Sequence, residues 1–333
     1  MKSLFVTLLL SFVFYSSYAV EKNQGILPIG DAPNKIAIAA KSVVLLILPD
    51  RPQTTDLSSL KKQTALKKKA KTKFENDFIE HQIKWCESDH RLSRCPISLE
   101  FITATGFMMQ KRDLLYTNYH PFFEYVRNVL NVNPKVDEDS SLKNKLLGAK
   151  FPVFIYTNDG ELIFNPSKGS ATIKNLSLVA AFAESKSDIS PTYDFLELKL
   201  SKELKNIEPL QPGTFIDKNP VYLIGYSISN EPSQNISLHF SSGKYLTYDE
   251  AASSLKLSKL NELSKESAKI ATEATFYFSG PSESGMSGGP YLNKNGEVIG
   301  IHRGTRDTTG HEPLSIGIKI PFVLQFPYGL HDK

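Results

Sequence analysis

Ser284-Gly285-Met286-Ser287-Gly288-Gly289-Pro290 is the stretch on which the reading of this chain turns. It runs into Tyr291-Leu-Asn-Lys-Asn-Gly-Glu-Val-Ile-Gly-Ile301, a hairpin whose Asn295-Gly296 turn tolerates positive φ. A serine with glycine two before it and two glycines just after has backbone freedom on both sides. That freedom lets nearby N–H groups turn inward and hold a developing negative oxygen. A serine hydroxyl is a poor nucleophile at neutral pH and needs a base and an orienting acid. Glycine-serine runs are common in turns, so the residues upstream decide the matter.

From residue 97 onward the chain reads as mostly β. Strand-like runs occur at Ile97–Met109, Leu114–Thr117, Val153–Thr157, Leu162–Phe164, Phe195–Leu200, Val221–Ile224, Ile236–Phe240, Ala274–Phe278, Glu297–Ile301 and Ser315–Ile320. Earlier, Ser42–Leu48 is a short apolar run that Pro49 is expected to end, which reads as a buried strand. Many short strands with turn signals such as Asn158-Asp159-Gly160 indicate a sandwich or a pair of barrels.

Three further segments match in order. The chain has seven histidines, at positions 81, 90, 120, 239, 302, 311 and 331. His120 stands apart by context: Ala104-Thr105-Gly106-Phe107-Met108-Met109 leads through Leu114-Leu115-Tyr116-Thr117-Asn118-Tyr119 to it. Tyr193-Asp194-Phe195-Leu196-Glu197-Leu198-Lys199-Leu200 puts an aspartate at the entry of an apolar strand, where it needs a hydrogen-bonding partner. Asp188 is a nearby competitor. Asn219-Pro220-Val221-Tyr222-Leu223-Ile224-Gly225-Tyr226 forms the next strand, and the Ser287 loop follows.

Together these segments resemble the trypsin-like (chymotrypsin-fold) serine peptidases, in the pattern of bacterial exported members. The resemblance covers residues 41–48 and 98–325. It implies an all-β fold of two six-stranded antiparallel β-barrels, with a helical insertion at 50–97. It implies His120 as base, Asp194 as its orienting acid and Ser287 as nucleophile. The N–H groups of Gly285 and Ser287 would form the oxyanion hole. Such chemistry needs neither a metal nor an organic cofactor, and its partners are polypeptide substrates. Leu196 and Glu197 depart from the family, which places a small and an apolar residue there. The alternative is a catalytically silent homologue that binds peptide or protein.

Details of the loops refine the expectation. Met286 stands where trypsin carries the aspartate that pairs with a new amino terminus, so that activation switch is not expected. Pro281 stands where trypsin's pocket has an aspartate, which removes the basis for a Lys or Arg preference. Gly300-Ile301-His302-Arg303-Gly304 is similar to a strand of glutamyl endopeptidases whose histidine faces an acidic side chain. Ser282, Ser284 and Thr305 could add hydroxyl donors to that pocket. Cleavage after Glu or Asp is therefore expected. The competing reading makes His302 a simple strand residue.

Composition sets the remaining bounds. Lys2, the apolar run Leu4–Phe14 and Ser17-Tyr18-Ala19 form a secretory signal over residues 1–19. The run is short for a bilayer span, so a secreted or periplasmic protein without a transmembrane segment is expected. Residues 20–40 read as a loose extension or propeptide before a peptidase domain at 41–333. Cys86 and Cys95, the only cysteines, are expected to form one disulfide in an exported protein, the alternative being metal ligation. Thirty-nine Lys and Arg against 35 Asp and Glu leave +4, too little to argue for nucleic acid. Residues 54–85 read as one or two amphipathic helices starting at Thr55 or Asp56. Their Lys61, Lys62, Lys67, Lys68, Lys69, Lys71 and Lys73 form either a solvated face or a contact for an anionic surface.

Overall fold

The computed structural model describes residues 25–122, 148, 150–176, 194–216, 219–227, 236–254, 274–306 and 314–325. The signal at 1–19, Asp188, His311 and His331 lie outside the described residues. Two curled antiparallel sheets make up most of the molecule. The amino-terminal sheet runs, in spatial order, Lys150–Phe151, Ala171–Leu176, Leu196–Leu200, Leu114–Thr117, Glu100–Met108, Val43–Asp50, Phe154–Tyr156 and Leu162–Phe164. The carboxy-terminal sheet runs Ile26–Pro28, Ser237–Gly243, Val221–Ser227, Pro290–Leu292, Val298–Arg306, Leu314–Lys319, Thr275–Phe278 and Tyr245–Leu246. The double-barrel architecture is as expected. Each sheet counts eight strands among the described residues rather than six, because short edge strands such as Ile26–Pro28 and Tyr245–Leu246 join it.

The strand Val43–Asp50 explains its own sequence. Val44, Leu46 and Leu48 lie in the interior of the first sheet, while Val43, Leu45 and Ile47 join a cluster that includes Ile224, Tyr226, Phe240 and Ile301 of the second. Both faces are buried, so both parities are apolar. Pro49 does not end the strand: it lies opposite Phe101, and Asp50 opposite Glu100. As the penultimate residue it removes at most one donor from the ladder.

The amino-terminal extension is docked rather than loose. Ile26–Pro28 pair with His239–Ser241, and Ile36 is fully buried.

The insertion folds around a core of its own. Helices Leu60–Lys67 and Lys73–Ser88 and the paired strands Gln53–Thr55 and Cys95–Ile97 enclose Leu57, Leu66, Ile79, Ile83, Cys86, Cys95 and Ile97. The helix starts differ from the expected Thr55 or Asp56. Ser59 caps the first helix by accepting from the Lys62 amide, and Asp56 instead accepts from Ser58 and Lys62. Thr72 caps the second, and its own amide donates in return to the Glu75 carboxylate at 3.1 Å. That capping box satisfies two otherwise orphaned donors. One face of the second helix docks on the first sheet: Phe78 meets Phe101 and Phe154 edge-on, at 5.4 and 5.2 Å. Gln82 is fully buried and exchanges two 2.9 Å hydrogen bonds with the Ser98 backbone. Lys62, Lys67, Lys73 and Lys84 pair with Asp56, Glu80, Asp77 and Glu80, whereas Lys61, Lys68, Lys69 and Lys71 are exposed. No helix among the described residues is long and apolar enough to cross a membrane.

Cys86 and Cys95 form a disulfide, with Cα atoms 5.6 Å apart, that ties the second helix to the strand Cys95–Ile97. Closing so short a loop restricts the unfolded chain by about 2–3 kcal/mol. Replacing both cysteines with alanine is expected to lower amide-exchange protection across Lys73–Ser88 by that amount and to leave Val43–Asp50 unchanged. Equal protection of the helix in both proteins would show that the bond adds nothing.

Candidate active site

The Ser287 loop is held from both sheets. Met286 is fully buried under the second sheet with Val221, Leu223 and Phe276. Gly288 donates to the His302 carbonyl at 2.8 Å, and the His302 amide donates to Gly289 at 2.8 Å. From the first sheet, the Thr105 amide donates to the Ser287 carbonyl at 3.0 Å and its hydroxyl donates to the Gly285 carbonyl at 2.7 Å. Gly288 has φ +86°, and a Cβ there would lie 2.2 Å from the Thr105 carbonyl oxygen and 2.3 Å from Thr117 Oγ1. Only glycine permits both that conformation and that approach.

Gly285 also has positive φ, +93°. Met286 donates to Glu283 and Gly289 to Met286, at 3.2 and 2.9 Å. The amides of Gly285 and Ser287 donate no backbone hydrogen bond among the described residues. Ser287 is half-buried, and its hydroxyl has no hydrogen-bond partner among the described residues. Such bonds are often unmade until substrate binds.

His120 follows the strand Leu114–Thr117 and faces Asp194, just before Leu196–Leu200 in the adjacent strand. Asp194 is 3% exposed. Its Oδ1 accepts from the amides of Tyr119 and His120 at 2.8 and 2.9 Å, and its Oδ2 lies 2.5 Å from His120 Nδ1. Asn118 Nδ2 donates to the Asp194 carbonyl at 2.5 Å. Burial pushes this carboxyl up, but the charge and hydrogen bonds of His120, with the Arg303 guanidinium, outweigh it and hold the carboxyl below its ordinary value. A bond to Nδ1 leaves Nε2 as the free nitrogen of the ring. The loop that carries Ser287 approaches the segment before His120 through the backbone: a Cβ on Gly288 would lie 3.0 Å from the Asn118 nitrogen.

His302 is 1% exposed, and its Nδ1 lies 2.8 Å from the Tyr291 hydroxyl. Of its expected companions, Ser282 turns toward Thr305 and lies 2.9 Å from Ser315 Oγ, while Ser284 is exposed. Tyr291 and Ser315 were not legible as site residues, because neither differs in sequence from an ordinary strand residue. Glu197, an odd residue for an apolar strand, is buried against Tyr116 and Lys174, whose ammonium lies 2.8 Å away.

Burial, with the nearby charge of His120 second, lowers the His302 pKa to about 3. Its folded value lies below its unfolded one, so its contribution is complete above about pH 6.5 and is lost as pH falls toward 3. About 3 kcal/mol of that loss falls between pH 6.5 and pH 4. The Asp194 contribution, from a depressed acid, is lost only below its ordinary range. His302→Gln is therefore expected to flatten the dependence of urea stability on pH between 6.5 and 4. An unchanged slope in that variant would show that His302 does not carry it.

The family model of the trypsin-like peptidase domain matches residues 104–301, more than half of the chain. Among solved structures, the chain is similar to a serine endoprotease from Yersinia pestis, at 12% identity and a TM-score of 0.40 over 88% of this chain and 65% of that one. It is similar to Deg5 at 16% identity and a TM-score of 0.42, over 87% of this chain and 89% of that one. A third is the HtrA-type protease AlgW with a serine-to-alanine substitution and a tripeptide, at 12% identity and a TM-score of 0.42, over 87% of this chain and 60% of that one. The chain thus spans less than two thirds of the first and third of these proteins. No curated protein matches the sequence.

Proposed function

Because this chain belongs to the trypsin-like peptidase family, we propose that it is an exported serine endopeptidase acting through His120, Asp194 and Ser287. The observation that carries this reading is the Asp194 carboxylate, buried yet bonded to two amides and to His120 Nδ1. A carboxylate at that depth is stable only where its partners are fixed in advance. Its effect on His120 is to leave Nε2 as the acceptor for a proton.

The steps follow. Ser287 Oγ attacks the scissile carbonyl carbon as its proton passes to His120 Nε2, and the carbonyl π pair moves onto oxygen. The amides of Gly285 and Ser287 hold that oxyanion, each worth about 3 kcal/mol of barrier. Collapse breaks the C–N bond, and the departing amine takes the proton from His120. Water then attacks the acyl-enzyme with His120 again as base, and the proton returns to Ser287 Oγ as the ester opens. Asp194 remains ionised and stabilises each imidazolium.

The preferred residue before the scissile bond is Glu, with Asp second. His302 is the residue that supports this reading: it is a neutral imidazole beside the Ser287 loop. A buried imidazole and nearby hydroxyls supply hydrogen-bond donors that match a carboxylate. Export is read from the 1–19 segment and agrees with the disulfide. The exposed Lys61, Lys68, Lys69 and Lys71 would face an anionic surface.

A second reading is a catalytically silent, peptide-binding homologue, favoured by a Ser287 hydroxyl without a hydrogen-bond partner among the described residues. A fluorophosphonate probe separates the two, since only an activated serine reacts. Labelling at Ser287 that disappears in Ser287→Ala is expected. That variant should lose all peptide hydrolysis and keep its melting temperature within a few degrees. Hydrolysis surviving in purified Ser287→Ala would refute the role of Ser287. A panel of peptides differing only before the scissile bond tests the preference: turnover of Leu or Arg faster than Glu would end it.

A further inference from the structure

A buried hydroxyl faces His302. The Tyr291 ring is fully buried and packs edge-on to Phe276 and Phe278, at centroid distances of 5.0 and 5.1 Å. Its hydroxyl lies 2.8 Å from His302 Nδ1. Ser315 is fully buried; its Oγ lies 2.9 Å from Ser282 Oγ, and Ser282 contacts the exposed Thr305 hydroxyl. These hydroxyls run from the surface at Thr305 to the buried Ser315, and a separate bond joins Tyr291 to the imidazole. A phenylalanine would fill the Tyr291 position as well, so the hydroxyl is there to be used.

Each hydroxyl has one proton to give. The phenol is the most acidic O–H among them, and an imidazole nitrogen is its strongest acceptor. Burial keeps both groups neutral: the Tyr291 phenol is pushed far up and His302 down to about 3. Ser315 Oγ donates to the Gly280 carbonyl at 3.4 Å, and the Tyr291 proton is handed to the ring at Nδ1.

We propose that Tyr291 locks His302 in the Nε2–H tautomer by donating to Nδ1, so that one fixed N–H donor recognises an acidic substrate side chain. Tyr291 is then a positioning residue for specificity. The recognition half of this inference rests on the reading of His302 given above; the tautomer does not.

Nitrogen NMR of the full mature chain, labelled with ¹⁵N-histidine and carrying Ser287→Ala to prevent self-cleavage, reads the tautomer directly. The expected spectrum shows His302 Nδ1 unprotonated and Nε2 protonated from pH 8 to 4. A protonated Nδ1 would overturn the proposal. Tyr291→Phe, which keeps the ring, is expected to lower the ratio of kcat/KM for a Glu peptide over a matched Leu peptide at least tenfold. That is the size of one hydrogen bond to a charged group. An unchanged ratio in Tyr291→Phe overturns the positioning role, and so does a parent enzyme that prefers Leu. A parent that the fluorophosphonate does not label overturns the peptidase reading instead, and the spectrum alone then decides the tautomer.

Discussion

Thr105 sends hydrogen bonds into three separate elements, and the candidate site depends on all of them. Its amide holds the Ser287 carbonyl, its hydroxyl holds the Gly285 carbonyl, and the same hydroxyl accepts from the Tyr226 amide at 2.9 Å. Its own carbonyl accepts from Thr117 Oγ1 at 2.7 Å. Thr105 and Thr117 belong to the first sheet, Tyr226 to the second, and Gly285 and Ser287 to the loop between strands of the second. The Ser287 loop of one sheet and the His120 segment of the other can meet only if the seam has a fixed register. The three bonds that cross the seam fix it, and the Thr117 bond holds Thr105 in place, where water is excluded because both threonines are fully buried. In such surroundings a made bond is strong and an unmade one costly.

The same rule governs the other buried polar groups. Asp194, Glu197, Gln82 and His302 are each at most 7% exposed, and each has its partners. Asp194 has two amides and an imidazole, Glu197 a phenol and an ammonium, Gln82 both polar groups of Ser98, and His302 a phenol. At the candidate site burial and nearby charge also set protonation. At Asp194 burial is outweighed by the charge and hydrogen bonds of His120, which hold it ionised, whereas at His302 burial and the charge of His120 act together and hold the ring neutral. Two titratable groups with opposed settings at one seam are the ordinary mark of acid–base or recognition chemistry.

The insertion at 50–97 obeys different logic. Its small core would not hold so short a segment by itself, so it borrows stability from the first sheet through Phe78, from the Ser98 backbone through Gln82 and from the Cys86–Cys95 bond. Its lysines are partly neutralised within the insertion by Asp56, Asp77 and Glu80. The positive charge that remains is narrower than the sequence suggests.

Local sequence determined the parts whose signal is local. The alternation and turns of the strands, the glycines around Ser287, the apolar run at Val43–Leu48 and the helical spacing of Phe74, Phe78 and Trp85 each follow from periodicity or backbone freedom within a few residues. His120 and Asp194 were singled out by the resemblance of residues 104–120 and 193–200 to trypsin-like peptidases, and the local signal for Asp194 was a charge at the entry of an apolar strand. The tertiary structure decided what depends on partners far away in the chain. Thr105 and Thr117 look like ordinary strand residues until the loop 180 residues on is laid against them. Glu197 looks misplaced until Lys174 and Tyr116 arrive beside it. Tyr291 looks apolar or neutral in its strand until His302 is packed between sheet and loop. The physical reason is the same in each case. A side chain's hydrogen bonds and charge state are set by what surrounds it, and in a sheet protein most of those surroundings come from residues distant in sequence.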